Sequence, residues 1–408
     1  MLKYLPVVLI LSVAVFGCRP SVPLSADWDG SLQIGADHSI PFRVHLDLGG
    51  IQPSGYFLVS DERTAVPIVQ MHGDSIRLVI TGYDAEMGGV WNGSQWIGSY
   101  LRIRKDTTAI LFVAVPAHEE SEEVQAQAEA PSGVRLTGNF LVLLETKDGI
   151  DSSMTATFWT KGDSAYGTFI DPSGDYGLMV GTQSGAKATL SRFTGWQANL
   201  MELQQNEDRW VGKFYSRNLP PQSFTLVPRP SGQVTLPEAQ PTRMKNPRKP
   251  FVFRGLSIDG DTVRSTDPAF RNKVLVVDIM GTWCHNCMDA APLLNQISAD
   301  FKDRGVVVVG LSFEIRDDPE QGRKNLASYR DRYRIDFPLL YCGSTQGEGV
   351  ATILRSQLEN FGAYPTTLFI DRRGIVNQIH IGFLGPGTGN GYLSQVQEYF
   401  GIVRKLAE

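Results

Sequence analysis

Cysteine is scarce in this chain: four in 408 residues, at positions 18, 284, 287 and 342. Only Cys284 and Cys287 lie close together, and no second pair of Cys or His ligands follows them. A structural zinc site normally needs four such ligands in two pairs, so the sequence offers half of one. Charge of one sign is also missing. The 38 Lys and Arg against 43 Asp and Glu leave a formal charge of −5, a balance that points away from nucleic acid as a partner. The apolar run at residues 5–16 holds about twelve residues, where a bilayer span needs roughly 20. Residues 27–228 lack any long segment of 3.6-residue periodicity and any catalytic constellation.

What is present centres on residues 274–292. Val274–Met280 is a short, nearly continuous apolar run rich in β-branched residues, as expected of a strand covered on both faces. Gly281 and Thr282 break it. Cys284 and Cys287 then fall at the first turn of a helix that carries Met288, Ala291, Leu294 and Ile297 on one face. A helix N-terminus offers unpaired N–H groups and partial positive charge, both of which favour a thiolate. The spacing puts the second thiol one turn away, within reach of a mixed disulfide on the first. Cys284 is thus expected to be the exposed attacker and Cys287 the resolving partner. A plain stapling disulfide is the alternative.

The segment resembles thioredoxin, and more closely the envelope thiol–disulfide oxidoreductases of the TlpA/ResA type. Trp283 precedes the first cysteine. Pro292 lies where the family has its helix-kinking proline, and Asp278 where thioredoxin keeps a buried carboxylate. Residues 364–371, with Tyr364, Pro365 and Thr366, look like the family's cis-proline strand. Gly374 and Gly382 match its turn and late-strand glycines. The resemblance covers about residues 250–408. The chain departs from it in carrying His285 and Asn286 between the cysteines in place of Gly-Pro, and Asp278 in place of the Asn common in the TlpA-type branch.

This resemblance implies an α/β thioredoxin-like domain over residues 251–408, with Cys284 and Cys287 as the redox pair and no other cofactor or metal. It implies a cis Pro365 that presents the backbone of Tyr364 and Thr366 to an extended substrate, and a shielding role for Trp283. Asp278, inside an apolar run, is the candidate proton acceptor for Cys287. His285 is read as a group that tunes Cys284, against the alternative of a solvent-facing side chain. Asn286 shares that position. Glu314 resembles an acidic residue near the family's active site, with an exposed strand-end Glu as the alternative. Cys342 is read as buried, and the Gly-rich stretch 385–389 as a loop before the last helix.

In chain order, residues 1–17 read as a signal peptide, with Lys3 before the apolar core. Residues 15–18 resemble a lipobox that would make Cys18 a lipidated N-terminus, leaving residues 18–26 as a tether. Residues 27–228 alternate apolar and polar positions in short runs, the pattern of an antiparallel sandwich or barrel. They contain an apparent duplication, with copies at about 27–116 and 133–228. The stretch from Thr81 recurs from Thr194, that from Trp96 from Trp210, and that from Gly55 from Gly167. Residues 117–130 read as an acidic connector, and residues 229–250 as a Pro-rich linker. From 251 onward strands and helices alternate. A hairpin falls at 251–263, strands at 306–313 and 337–341, helical stretches at 326–333 and 348–361, an antiparallel edge at 366–370 and 376–381, and a closing helix at 392–406.

The expected function is that of an extracytoplasmic, membrane-anchored reductase of protein disulfides, fed by a membrane thiol donor. A disulfide oxidant or isomerase using the same site is the first alternative. A peroxidase would need a Pro-x-x-x-Thr/Ser-x-x-Cys loop, which is absent before Cys284. A non-enzymatic lipoprotein that binds a ligand or partner through the β region is the remaining reading.

Overall fold

The computed structural model describes residues 21–80, 85–102, 109–117, 135–229 and 241–408. The signal segment, Cys18, most of the acidic connector, residues 230–240 and the first four residues of the repeat at Thr81 lie outside these.

Alternation of apolar and polar residues builds two nine-stranded antiparallel sheets in the N-terminal half. In the first, with strands numbered along the chain, the pairing order is 4-3-2-1-9-8-7-6-5. In the second it is 2-1-9-8-7-6-5-3-4, and strand 2 also pairs with strand 3, so the sheet closes into a barrel. The first has the same neighbours but no ladder between its third and fifth strands. The bond from Val66 N to Gly55 O, 2.8 Å, only extends the ladder between the third and fourth strands by one residue.

The duplicated motifs fall on equivalent strands. Trp96 and Trp210 each stand near the start of the eighth strand of their sheet, Trp96–Arg102 and Arg209–Ser216. Trp96, Tyr100, Trp210 and Phe214 all point inward and are buried. The glycine between each aromatic pair is sterically required. A Cβ on Gly98 would collide with Gly88 O, and one on Gly212 would sit 2.6 Å from Glu202 O. The two units pack through Phe193 of the second, whose ring lies 5.2 Å from Phe42 and 4.9 Å from Phe57 of the first.

The C-terminal unit is a seven-stranded mixed sheet. Its strands run in space Thr262–Arg264, Arg254–Ser257, Leu339–Ser344, Val306–Glu314, Val274–Met280, Thr366–Ile370, Val376–Ile381. Val274–Met280 lies parallel to Val306–Glu314 and antiparallel to Thr366–Ile370, and all seven of its residues are buried. Helices His285–Phe301, Pro319–Tyr333 and Asn390–Ala407 cover the sheet.

Two expectations fail here. Residues 348–361 do not form an ordinary helix. Val350–Arg355 makes one wide turn of π type, followed by the short strand Leu358–Glu359. Val350 and Leu354 are buried on one side of this turn, and Leu358 is buried on the strand that follows it. Nor does all of 229–250 run free as a linker. Arg243–Met244 pairs with Leu358–Glu359, and Lys245 N donates to Gln357 O at 2.8 Å.

Candidate active site

Cys284 and Cys287 form a disulfide at the start of helix His285–Phe301, with Cys284 as its N-cap. Cys287 N donates to Cys284 Sγ at 3.3 Å, so the sulfur accepts one of the helix's otherwise orphaned N–H groups. The Gly281–Trp283 turn that aims the helix is held by Glu314. Its carboxylate accepts from Thr282 N (3.1 Å), Thr282 Oγ1 (2.7 Å), Ser312 Oγ (2.6 Å) and Asn325 Nδ2 (3.2 Å). Glu314 is therefore neither exposed nor beyond the strand's end. It is buried as the last residue of that strand and serves as a clamp. Trp283 donates from Nε1 to Phe313 O at 2.9 Å, and its ring meets Tyr364 edge-on at 5.4 Å.

Asp278 lies six residues before Cys284 on the central strand and pairs in register with Thr367. It is buried, and burial pushes its carboxyl up to about 7, opposed in part by a 3.3 Å hydrogen bond from Thr367 Oγ1. Tyr399 donates in turn to Thr367 Oγ1 at 3.1 Å. The Tyr364–Pro365 peptide is cis, and Pro365 O accepts from Gly382 N at 2.8 Å. Thr366 is buried and donates to Ala363 O at 2.9 Å. Cys342 is a free thiol, buried at a strand, and burial pushes it far up.

Cys284, expected to be exposed, is 6% exposed. The second β unit covers it. Asn286 donates from Nδ2 to Ser173 O at 3.1 Å, and Gly174 bridges to Phe383 beside the late-strand glycine Gly382. Asp175 reaches the Gly-rich loop, accepting from Gly385 N at 2.6 Å. That loop has a docking role that its sequence did not announce. A Cβ at Gly385 would meet the Asp289 carboxylate, so a side chain there would have to displace Asp289. Asp175 is pushed up to about 6 by burial and then by Asp289.

His285 is not solvent-facing either. Its Nε2 lies 3.2 Å from Asp289 Oδ2 and 3.4 Å from Arg192 Nη2. Arg192, fully buried, reaches it from the second β unit and makes two 2.7 Å bonds to Glu62 of the first. Burial and Arg192 oppose a charge on His285, but the Asp289 carboxylate outweighs them and the net direction is upward. All three units thus meet in one polar network beside Cys284. Sequence reading missed Arg192, Glu62, Asp175 and Asp289. One signal was available for Arg192, a charge at an inward-facing position of strand Lys187–Phe193, in step with Ala188 and Leu190.

A cleft of about 330 Å³ remains open between the second β unit and the disulfide. Cys284, Trp283 and Tyr364 line one side, and Arg102, Trp196 and Arg217 the other.

The C-terminal unit has a thioredoxin-like fold, a central mixed sheet covered by helices with the Cys-x-x-Cys at the start of the first. Residues 248–379 match the AhpC/TSA family. Residues of this chain are 28% identical over 151 positions to the thiol:disulfide interchange protein DsbE of Pseudomonas fluorescens biotype C, covering 36% of this chain and 72% of that one. They are 26% identical over 140 positions to the thiol-disulfide oxidoreductase ResA of Oceanobacillus iheyensis, covering 34% of this chain and 64% of that one. Among solved structures, a thioredoxin family thiol:disulfide interchange protein from Chlorobium tepidum aligns with 39% of this chain and 98% of its own, at 19% identity and a TM-score of 0.30. The family match, residues 248–379, excludes both β units.

Proposed function

We propose that the protein is an extracytoplasmic oxidoreductase that reduces disulfides of other proteins through Cys284 and Cys287. The observation that carries this reading is the placement of the pair: a disulfide at a helix N-terminus, above a strand whose buried Asp278 titrates near neutrality. In the reduced enzyme the Cys284 thiolate attacks one sulfur of the substrate disulfide. A mixed disulfide forms, and the other substrate sulfur leaves as a thiolate. Cys287 gives its proton to the Asp278 carboxylate and attacks Cys284 Sγ, which releases the second substrate thiolate. Two electrons have passed to the substrate, and Cys284–Cys287 is left oxidised, the state seen here. An external dithiol donor at the membrane returns them. The redox pair itself is the only group this chemistry requires. Thr366, expected to contact substrate, is instead paired on both sides within the sheet and Pro365 O is taken by Gly382 N, so the backbone of Tyr364 just before the cis proline is what can pair with an extended substrate.

Residues 1–17 as a signal and Cys18 as a lipid attachment point supply the address. Among the described residues no helix is long and apolar enough to cross a membrane. The test is the reduction potential of the pair in dithiothreitol or glutathione buffers, with thiols trapped at equilibrium. A value near roughly −270 mV supports a reductase.

One observation favours the opposite direction. His285 adjoins Cys284 and is biased toward its charged form, which stabilises a thiolate and makes the disulfide more oxidising. A value near roughly −120 mV would select this oxidant reading. A pair with no reversible couple would remove both and leave partner binding through the β units.

A further inference from the structure

The turn that reaches the disulfide is written into the sequence of the second β unit. Asp171, Pro172, Ser173 and Gly174 are turn formers in order, with Asp at the first position, Pro at the second and Gly at the fourth. They join strand Ser164–Asp171 to the two-residue strand Gly174–Asp175. Asp171 Oδ1 accepts from Ser173 N and from Ser173 Oγ, both at 2.6 Å, so the tip is stiffened by its own bonds.

This tip is seated on the active-site face of the thioredoxin-like unit. Asn286, between the two cysteines, donates to Ser173 O. Gly174 forms a parallel bridge with Phe383, and the preceding Gly382 donates to Pro365 O. The approach is close enough to need glycine on both sides. A Cβ on Gly174 would collide with Asn286 Nδ2 and Phe383 O, and one on Gly382 would come within 2.7 Å of Ser173 O. Ser173 and Asp175 also share the lining of one cleft with Cys284. The tip meets the site as a bound peptide would, through its backbone: a carbonyl to Asn286 and a strand-like bridge to Phe383.

The fit is incomplete. Asn286 Oδ1 and Tyr364 Oη, buried on the cleft lining, have no hydrogen-bond partner among the described residues. A buried polar atom without a partner costs free energy that a better-matched occupant recovers. The tip gives Asn286 a carbonyl but no N–H, whereas an extended client segment can give both. The opening that remains, about 330 Å³, takes a small molecule and no folded surface. We infer that residues 171–175 are an intramolecular plug, seated where an extended client segment binds, and that a protein client reaches Cys284 only by displacing them. The inference rests on the reductase reading and adds regulation to it. Small disulfides enter beside the plug, and protein disulfides wait for it to open.

The test uses the full chain, reduced, in a Cys18→Ser background. Cys284 is labelled with N-ethylmaleimide or with a maleimide carried on a long polyethylene glycol, each rate being divided by its rate at Cys284 in the unfolded chain. The small reagent is expected to label the native protein about a hundredfold faster than the large one, which has to wait for the tip to open. Gly174→Val, whose side chain has no room against Asn286 and Phe383, should speed the large reagent about tenfold or more, and the milder Gly174→Ala should fall between. With dithiothreitol as reductant, Gly174→Val should raise kcat/KM for insulin about tenfold and leave that for glutathione disulfide unchanged. Equal labelling by the two reagents in the parent chain overturns the inference, and does so even if neither variant folds. Insulin reduced by the parent and no faster by variants that open Cys284 to the large reagent overturns it as well, and leaves the reductase standing. If no chain reduces insulin or glutathione disulfide above the uncatalysed rate, the reductase reading falls, and the plug remains only as a cover over Cys284.

Discussion

Asp278 shows how a single burial shapes behaviour. Its carboxyl is displaced from 3.8 to about 7, chiefly by removal from water. A group whose folded-state pKa is raised favours the fold most at low pH, and that advantage is lost as pH rises through about 7. The displacement is worth on the order of 4 kcal/mol. Asp278→Asn is expected to match the parent near pH 4 and to be more stable than it near pH 8, as read by hydrogen exchange of the C-terminal unit in urea. Parallel pH profiles for the two proteins would sink the assignment. Under the proposed mechanism, in which Asp278 takes the Cys287 proton, the same variant should also slow resolution of the mixed disulfide. Cys342 presents the contrary case, a thiol that burial keeps protonated. In a Cys18→Ser background the oxidised native protein is expected to show no fast-reacting thiol with Ellman's reagent, and one after unfolding. A fast thiol in the native state would put Cys342 at the surface.

At the scale of elements, the active-site helix begins where it does because the turn before it is pinned. Glu314 collects four donors from three segments, namely Thr282, Ser312 and Asn325. Glu314→Ala leaves buried donors without an acceptor and is expected to cost roughly 3 kcal/mol, with turnover falling because Cys284 loses its fixed N-cap geometry. Thermal unfolding and the insulin assay report the two effects separately. Unchanged stability would mean that water replaces the carboxylate. The strand Val274–Met280 and the Cys-x-x-Cys were legible from pattern and spacing alone, since both are local properties of the chain. The wide turn at Val350–Arg355 was not, since its four-residue apolar spacing reads as helix until the packing is known.

At the scale of the molecule, the polar network beside Cys284 ties the three units together. Arg192→Leu removes the partner of Glu62 and the cation facing His285. Docking of the β units on the thioredoxin-like unit is expected to weaken by roughly 1 kcal/mol, since the Glu62 side chain is 34% exposed and water can replace part of what it loses. Proteolysis between residues 229 and 250 should accelerate several-fold, and modification of Cys284 in the reduced protein should become faster. If both rates stay put, the network does not hold the units together.

The sequence by itself determined the elements and their chemistry. Period-two alternation specified β units, the repeated Trp-x-Gly-x-aromatic fell on equivalent strands of the two, and the Cys-x-x-Cys after a buried strand marked the candidate redox site. These are short-range signals, carried by residues a few positions apart. Only the tertiary structure decided that Cys284 is covered rather than exposed, that Glu314 is a clamp, and that His285 answers to Arg192 and Glu62. The cover over Cys284 and the setting of His285 depend on contacts between residues 93 and more positions apart in the chain, and the Glu314 clamp on contacts up to 32 apart. Nothing in local pattern specifies which faces of three separately folded units will be pressed together.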